Sequence, residues 1–184
     1  MKIYGIIDQG TGLFFSIEHG DIVPAGGYEI SAGDALAMSQ TPYGHAAFRP
    51  NGAGGILLDQ DAVAAFDLAE AQAQKRNELN SACRDAIVSG FTSSALGSPH
   101  TYASTFEDQL NLIGAKSAGV ALPYPCRDAN GVKADVPHTA VQLVQVFNDG
   151  MAIKVAALAK CRTLKNTVYD PLTDTIAKVQ AVVW

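Results

Sequence analysis

The sequence predicts an α+β protein: a small N-terminal antiparallel sheet with a short helix, then a long helix and a mainly helical C-terminal domain with two short β-hairpins. Two observations carry this prediction. The first 60 residues alternate apolar and polar side chains between Gly- and Pro-containing turns, which is typical of strands. The later sequence is rich in Ala, and its apolar residues recur every three or four positions, which is typical of helices. We therefore place a domain boundary at residue 60, giving domains 1–60 and 61–184.

The N-terminal domain is predicted to contain two hairpins and one helical turn. Residues 2–7 and 12–17 flank a turn at 8–11 that contains Gly10, so they form the first hairpin. A short strand at 28–30 follows, and Ser31 is placed to cap a helical turn. The second hairpin is predicted around the turn Pro50-Asn51-Gly52. The domain is thus a small sheet with one short helix.

A sheet of this size cannot bury both of its faces within about 60 residues. We therefore expect its aromatic side chains to be exposed and to form the partner-binding surface. The residues of this surface are Tyr4, Phe14, Phe15 and Phe48. The alternative is that these aromatics pack on the long helix that begins at Asp61.

The C-terminal domain begins with a helix predicted from Asp61 to Ser89 and ended by Gly90. Its middle, from Gln72 to Glu78, is polar. Such a helix either bridges two domains through solvent or packs on a second chain. Self-association through the long helices is therefore one of the partner interactions that we expect.

Local signals predict the remaining elements. Hairpins are expected around 97–100 and around 128–131, where an Asn-Gly pair favours a tight turn. Thr105 with Asp108 resembles a capping box at a helix start. The longest helix is predicted at 139–167, and a last short helix at 173–183. We expect the longest helix to pack on the preceding one through two sets of apolar residues: Val144, Phe147, Met151, Val155 and Leu158, against Leu110 and Ile113.

Composition and charge exclude several classes of partner. The net charge is −5, and no basic run is longer than Lys75-Arg76, which excludes nucleic acid as an expected partner. No window approaches the roughly 18 apolar residues that a membrane span requires. The apolar stretch at the start is too short for a signal peptide. We expect a soluble protein in the cytoplasm, with no membrane interaction.

No constellation of residues indicates catalysis, and we expect neither an enzyme nor a catalytic, cofactor or metal site. The four histidines fall in predicted loops or at element edges, and none has metal-ligand spacing, so we expect them to be polar residues at the surface. Cys83, Cys126 and Cys161 have neither disulfide-framework nor metal-ligand spacing, so we interpret them as buried, reduced thiols.

The first 60 residues resemble the opening of phage tail-fibre assembly proteins. The features that carry the resemblance are Met1-Lys2-Ile3-Tyr4, Gly10-Thr11-Gly12-Leu13-Phe14, His19-Gly20, Tyr28-Glu29-Ile30-Ser31 and Asn51-Gly52. About 110 later residues are similar to a domain of unknown function found in phage tail proteins. The segments that carry this second resemblance are 75–80, Ala86, Gly90-Phe91, 105–115, the long helix predicted at 139–167, and Trp184. The aromatic that is usual near the end of the second hairpin is missing here, where Cys126-Arg127-Asp128 stands instead.

The resemblance implies a chaperone that binds a trimeric phage tail-fibre protein and assists its folding, trimerisation or attachment. It places the protein in the host cell cytoplasm during assembly. The alternative is a permanent virion component, a baseplate or fibre-tip adaptor that is retained in the tail. No residue-level site is implied by the resemblance.

Overall fold

The computed structural model describes all 184 residues and is mixed α and β, with five α-helices and small antiparallel sheets. The chain divides into two compact units, Met1–Ala71 and Gln72–Trp184. The division lies inside helix α2, Gln60–Val88, whereas the sequence placed the boundary at the start of that helix. Each unit has its own apolar core.

The first unit contains both hairpins that the sequence predicts. Its elements are β1 (Lys2–Ile7), β2 (Phe14–Gly20), β3 (Gly27–Ile30), α1 (Ala32–Ser39), a 3-10 turn (Gly44–Ala47), β4 (Phe48–Pro50), β5 (Ile56–Leu58) and the first part of α2. Strands β2, β1 and β3 form one antiparallel sheet with β1 in the centre. Strands β4 and β5 form a separate pair.

Two short polar side chains organise the local structure of this unit. Asp8 Oδ1 accepts the backbone N–H groups of Gly10 (3.0 Å) and Thr11 (2.8 Å), which closes the turn between β1 and β2. The hydrogen bonds from Thr11 hold the pKa of the Asp8 carboxyl below its usual value. Ser31 Oγ accepts the N–H of Asp34 (3.0 Å), so the predicted cap of α1 is confirmed.

The core of the first unit lies on one face of the three-stranded sheet. It consists of Phe14, Ile30, Met38, Ala47 and Phe48. A Cβ atom at Gly5 would lie 2.3 Å from Phe14 Cδ1, so the ring of Phe14 packs directly on the backbone of β1. Segments that follow the sheet in the chain, α1, the 3-10 turn and β4, cover this face.

The second unit contains both predicted C-terminal hairpins. Its elements, after the rest of α2, are β6 (Phe91–Ser93), β7 (His100–Tyr102), α3 (Phe106–Ala118), β8 (Leu122–Arg127), β9 (Lys133–His138), α4 (Ala140–Val168) and α5 (Ile176–Gln180). The two hairpins join through a β7–β8 pairing into one four-stranded antiparallel sheet. The last helix is shorter than the predicted 173–183.

Side-chain caps position the two helices that lie on this sheet. Thr105 and Asp108 form a capping box at the start of α3, as the sequence predicts. Thr139 and Gln142 form a second one at the start of α4. Each capping box satisfies two backbone N–H groups that the first helical turn leaves without a partner.

The predicted packing of α4 against α3 is wrong in its choice of face. Leu143 and Val146 are fully buried against the sheet. Six of the predicted contact residues on α4 and α3 are between 39% and 57% exposed: Val144, Met151, Val155, Leu158, Leu110 and Ile113. Only Phe147 of the predicted set packs on the core.

A close approach between β6 and α4 explains which face is buried. A Cβ atom at Gly150 would lie 2.8 Å from two ring atoms of Phe91, so the ring rests on the helix backbone. This contact turns the face that contains Leu143, Val146 and Gly150 toward the sheet. Helix α4 is apolar on more than one face, and the contact leaves the second apolar face outside the core of the unit.

Candidate partner-binding surfaces

The predicted aromatic surface of the first unit is mostly interior. Phe14 and Phe48 belong to the core, and Tyr4 is also buried. Their expected exposure is therefore wrong: α1, the 3-10 turn and β4 cover the sheet face that contains Phe14, whereas Tyr4 is buried on the opposite face. Phe15 alone remains outside, with 72% of its surface exposed. It follows Phe14 in the strand, and successive side chains of a strand point to opposite faces.

Tyr4 lies on the face of β1 opposite to Ile3 and Gly5. Its ring lies 3.3 Å from the position that a Cβ atom would take at Gly20, and its hydroxyl donates to Glu18 Oε2 at 3.4 Å. A glycine in the neighbouring strand thus makes room for the ring. Tyr4 is therefore held inside the unit and is not available to a partner.

Helix α3 carries a row of exposed apolar side chains, which we call the α3 row. It consists of Phe106, Leu110 and Ile113, which are 69%, 52% and 47% exposed. Their spacing of four and three residues places them on one side of the helix. Leu112, on the other side, is buried in the core. The α3 row therefore faces away from the core of its unit.

An apolar groove of about 100 Å³ adjoins the α3 row. Its walls come from α3, α4 and β6, and its apolar lining is Phe91, Leu112, Ile113, Phe147 and Met151. At its polar rim the ammonium of Lys154 donates to Gln109 Oε1 at 2.9 Å. A groove with an apolar floor and a few polar groups at its rim suits an apolar side chain of a partner.

Sequence reasoning assigns Leu110, Ile113 and Met151 to the core because of their helical spacing. The same spacing is produced by an apolar face that lies outside the core. In the structure Gly150 marks the inner face of α4, because it permits the close approach of the Phe91 ring. A glycine in a helix does not by itself identify the inner face in the sequence, since Gly114 on α3 has open space beside it.

The polar side chains of the second unit are largely committed to its own structure. His138 was expected at the surface, and this is wrong: it is buried, with Nε2 2.8 Å from the hydroxyl of Tyr102. Its Nδ1 lies 2.7 Å from the carbonyl oxygen of Val136, to which it can only donate. In the tautomer that carries its proton on Nδ1, Nε2 accepts the hydrogen bond from the Tyr102 hydroxyl.

A cleft of about 170 Å³ lies between β7, β8 and the start of α3. Burial raises the pKa of Tyr102, and burial together with the charge of Asp108 raises the pKa of Tyr124 to about 12. Asp108 caps α3, and Arg127 donates to the carbonyl oxygen of Gly131 at 3.0 Å. Asp108 and Arg127 thus have local structural partners.

The buried thiols confirm the burial that we predicted for the cysteines. Cys83 Sγ on α2 donates to the carbonyl oxygen of Ala157 on α4, and Cys161 Sγ on α4 donates to that of Leu79 on α2, each at 3.7 Å. Burial raises the pKa of the Cys83 thiol.

No group of three or more His, Cys, Asp or Glu side chains is placed to hold a metal ion. None of the five helices combines the length and apolar character needed to cross a membrane.

Comparison with known proteins gives one result for the helical part of the chain. A family model described as "Domain of unknown function (DUF4376)" matches residues 70–183, which is more than half of the sequence. This range nearly coincides with the second unit, Gln72–Trp184. No curated protein matches the chain, and no solved structure matches it.

Proposed function

This chain belongs to the DUF4376 family, and from that premise we propose that it is an assembly chaperone for a phage tail fibre. In this proposal it binds a trimeric tail-fibre protein and assists its folding, trimerisation or attachment in the host cell cytoplasm. It acts by binding and not as an enzyme. The resemblance of residues 1–60 to tail-fibre assembly proteins supports the choice of partner.

The observation that carries the proposal is the apolar α3 row with its adjoining groove. Soluble proteins seldom leave a contiguous apolar patch uncovered unless it binds something. Phe106, Leu110 and Ile113 stand on a rigid, capped helix, so little side-chain or backbone ordering opposes binding. The partner that fits is an apolar segment of an incompletely folded fibre chain.

Co-expression with a candidate tail-fibre protein tests the proposal. The yield of soluble, SDS-resistant fibre trimer is measured without the chain, with the natural chain, and with Leu110→Glu. We expect the natural chain to raise the yield and Leu110→Glu to abolish the gain, because a buried unpaired carboxylate is costly. Asn111→Glu places the same charge on an exposed neighbour outside the α3 row and serves as the matched control.

Each outcome decides one step of the proposal. An equal trimer yield with and without the natural chain would contradict the chaperone function. Equal activity of Leu110→Glu and the natural chain would remove the α3 row as the binding surface. Phe15→Ser, tested in the same assay, examines the one aromatic of the N-terminal prediction that is exposed. Recovery of the chain at a fixed ratio in purified particles would favour a permanent virion component.

A further inference from the structure

Helix α4 carries a second set of exposed side chains, which we call the α4 seam. Its members are Val141, Val144, Asn148, Met151, Val155 and Leu158. The five apolar ones are between 39% and 78% exposed. They follow one another at alternating steps of three and four residues, which is the spacing of heptad positions a and d in a coiled coil.

No charged side chain stands on the α4 seam between Val141 and Leu158. The two charged residues of this stretch bond elsewhere in the second unit. Asp149 accepts from Ser93 Oγ at 2.6 Å, and Lys154 donates to Gln109 at 2.9 Å. The positions that flank the seam toward solvent are uncharged: Gln145, Ala152 and Ala159. Two copies of this acidic chain can therefore meet here without opposing like charges.

The identity of the seam residues favours a second copy in a parallel orientation. Position a is occupied by Val141, Asn148 and Val155, and position d by Val144, Met151 and Leu158. A β-branched residue at a with Leu at d favours two strands, and a single Asn at a specifies register and oligomeric state. In a parallel pair the two Asn148 amides face each other and can hydrogen-bond. In an antiparallel pair Asn148 would face an apolar d residue and lose its partner.

We propose that the α4 seam is a dimerisation surface, on which α4 of a second copy of this chain packs in parallel. The α4 seam shares Met151 with the groove beside the α3 row, but Val155 and Leu158, which the experiments below change, line neither the row nor the groove. The seam ends after Leu158, since the next positions of the same heptad are Arg162 and Lys165. In a parallel pair these charges would face their own copies.

The dimensions of the seam predict a weak dimer. Eighteen helical residues span about 27 Å, at about 1.5 Å per residue. One helix face of this length is smaller than the roughly 800 Å² per partner of a standard interface. We therefore expect monomer and dimer to exchange with protein concentration.

Sedimentation velocity of the full chain over a wide range of concentration tests the proposal. We expect the mass to rise from monomer to dimer as the concentration increases. Val155→Lys should weaken the dimer by roughly a hundredfold, because it brings like charges face to face. Ile153→Lys is the matched control, since Ile153 is 48% exposed on the same helix but lies outside the seam. Circular dichroism checks that both variants are folded.

Crosslinking then tests the orientation. Leu158→Cys, treated with a short bismaleimide, should form a covalent dimer only if the helices are parallel. The natural chain is the control, because its three cysteines are buried. A chain that stays monomeric at every concentration, or equal dimer affinity for Val155→Lys and Ile153→Lys, overturns the proposal. A dimer in which Leu158→Cys does not crosslink overturns the parallel arrangement. A monomeric chain in which Val155→Lys lowers the fibre-trimer yield would assign the seam to the fibre instead.

Discussion

The two units of the chain arrange their exposed apolar side chains differently. The first unit brings α1, the 3-10 turn and β4 over one face of its sheet and buries Phe14 and Phe48. The second unit covers its sheet with one face of α4 and leaves the α3 row and the α4 seam exposed. The first unit also exposes Phe15, Ile22, Leu36 and Leu57, but these side chains lie on different segments of the unit. In the second unit the exposed apolar side chains follow one another along single helices, and these rows are where partners are to be expected.

The largest change in stability that tests this comparison is expected in the first unit. Phe14→Ala should destabilise it by about 3–5 kcal/mol, because a buried ring is lost from a small core. Phe15→Ala, one residue further along β2, should change stability by less than about 0.5 kcal/mol. Urea unfolding followed by near-ultraviolet circular dichroism and hydrogen exchange of residues 1–71 measures both. Similar losses for the two variants would mean that the unit does not close on its own core.

In the second unit, a leucine pair on α4 tests which face is interior. Leu143→Ala should cost about 2–5 kcal/mol, because Leu143 is fully buried. Leu158→Ala should cost less than about 1 kcal/mol, because Leu158 is 46% exposed and gives up little buried area. Urea unfolding at low protein concentration, where the chain is monomeric, provides both values. A larger loss for Leu158→Ala than for Leu143→Ala would reverse our assignment of the faces.

Features of the fold that depend on local chemistry could be predicted from the sequence. The cap at Ser31, the capping box of Thr105 with Asp108, and the turn at Asn130-Gly131 all lie where short-range signals placed them. These signals act over three or four residues, and the rest of the chain does not alter them. The long helices also begin and end within a few residues of the predictions.

Features that depend on distant contacts could not be predicted in the same way. The inner face of α4 is chosen by the ring of Phe91, which is far away in the chain. His138 is buried because Tyr102 supplies its hydrogen-bond partner across the sheet. The two C-terminal hairpins share one sheet through a single β7–β8 pairing that leaves no pattern in the sequence. The sequence therefore predicts correctly that α3 and α4 have these apolar faces, and its placement of the faces in the core is wrong.

The smallest expected effect is a dependence of the second unit's stability on alkaline pH. Tyr124 donates to the carbonyl oxygen of Asp108 at 3.2 Å, and burial, with the charge of Asp108, raises its pKa to about 12. An unfolded tyrosine ionises near pH 10. Below about pH 10 the residue is protonated in both states and contributes no pH dependence. Between about pH 10 and 12 the unfolded chain loses this proton first, so the free energy of unfolding falls as the pH rises.

Removing the phenol should flatten this part of the stability profile. We expect Tyr124→Phe to be less stable at neutral pH by about 1 kcal/mol, because one hydrogen bond is lost. Between about pH 10 and 12 its free energy of unfolding should fall less steeply than that of the natural chain. Tyr169→Phe removes a phenol from a half-exposed position and is the matched control. Urea unfolding at a series of pH values measures the slopes. Equal slopes for Tyr124→Phe and the natural chain would show that the Tyr124 hydroxyl is open to solvent. The side chain of Tyr124 would then be less buried than the structure indicates.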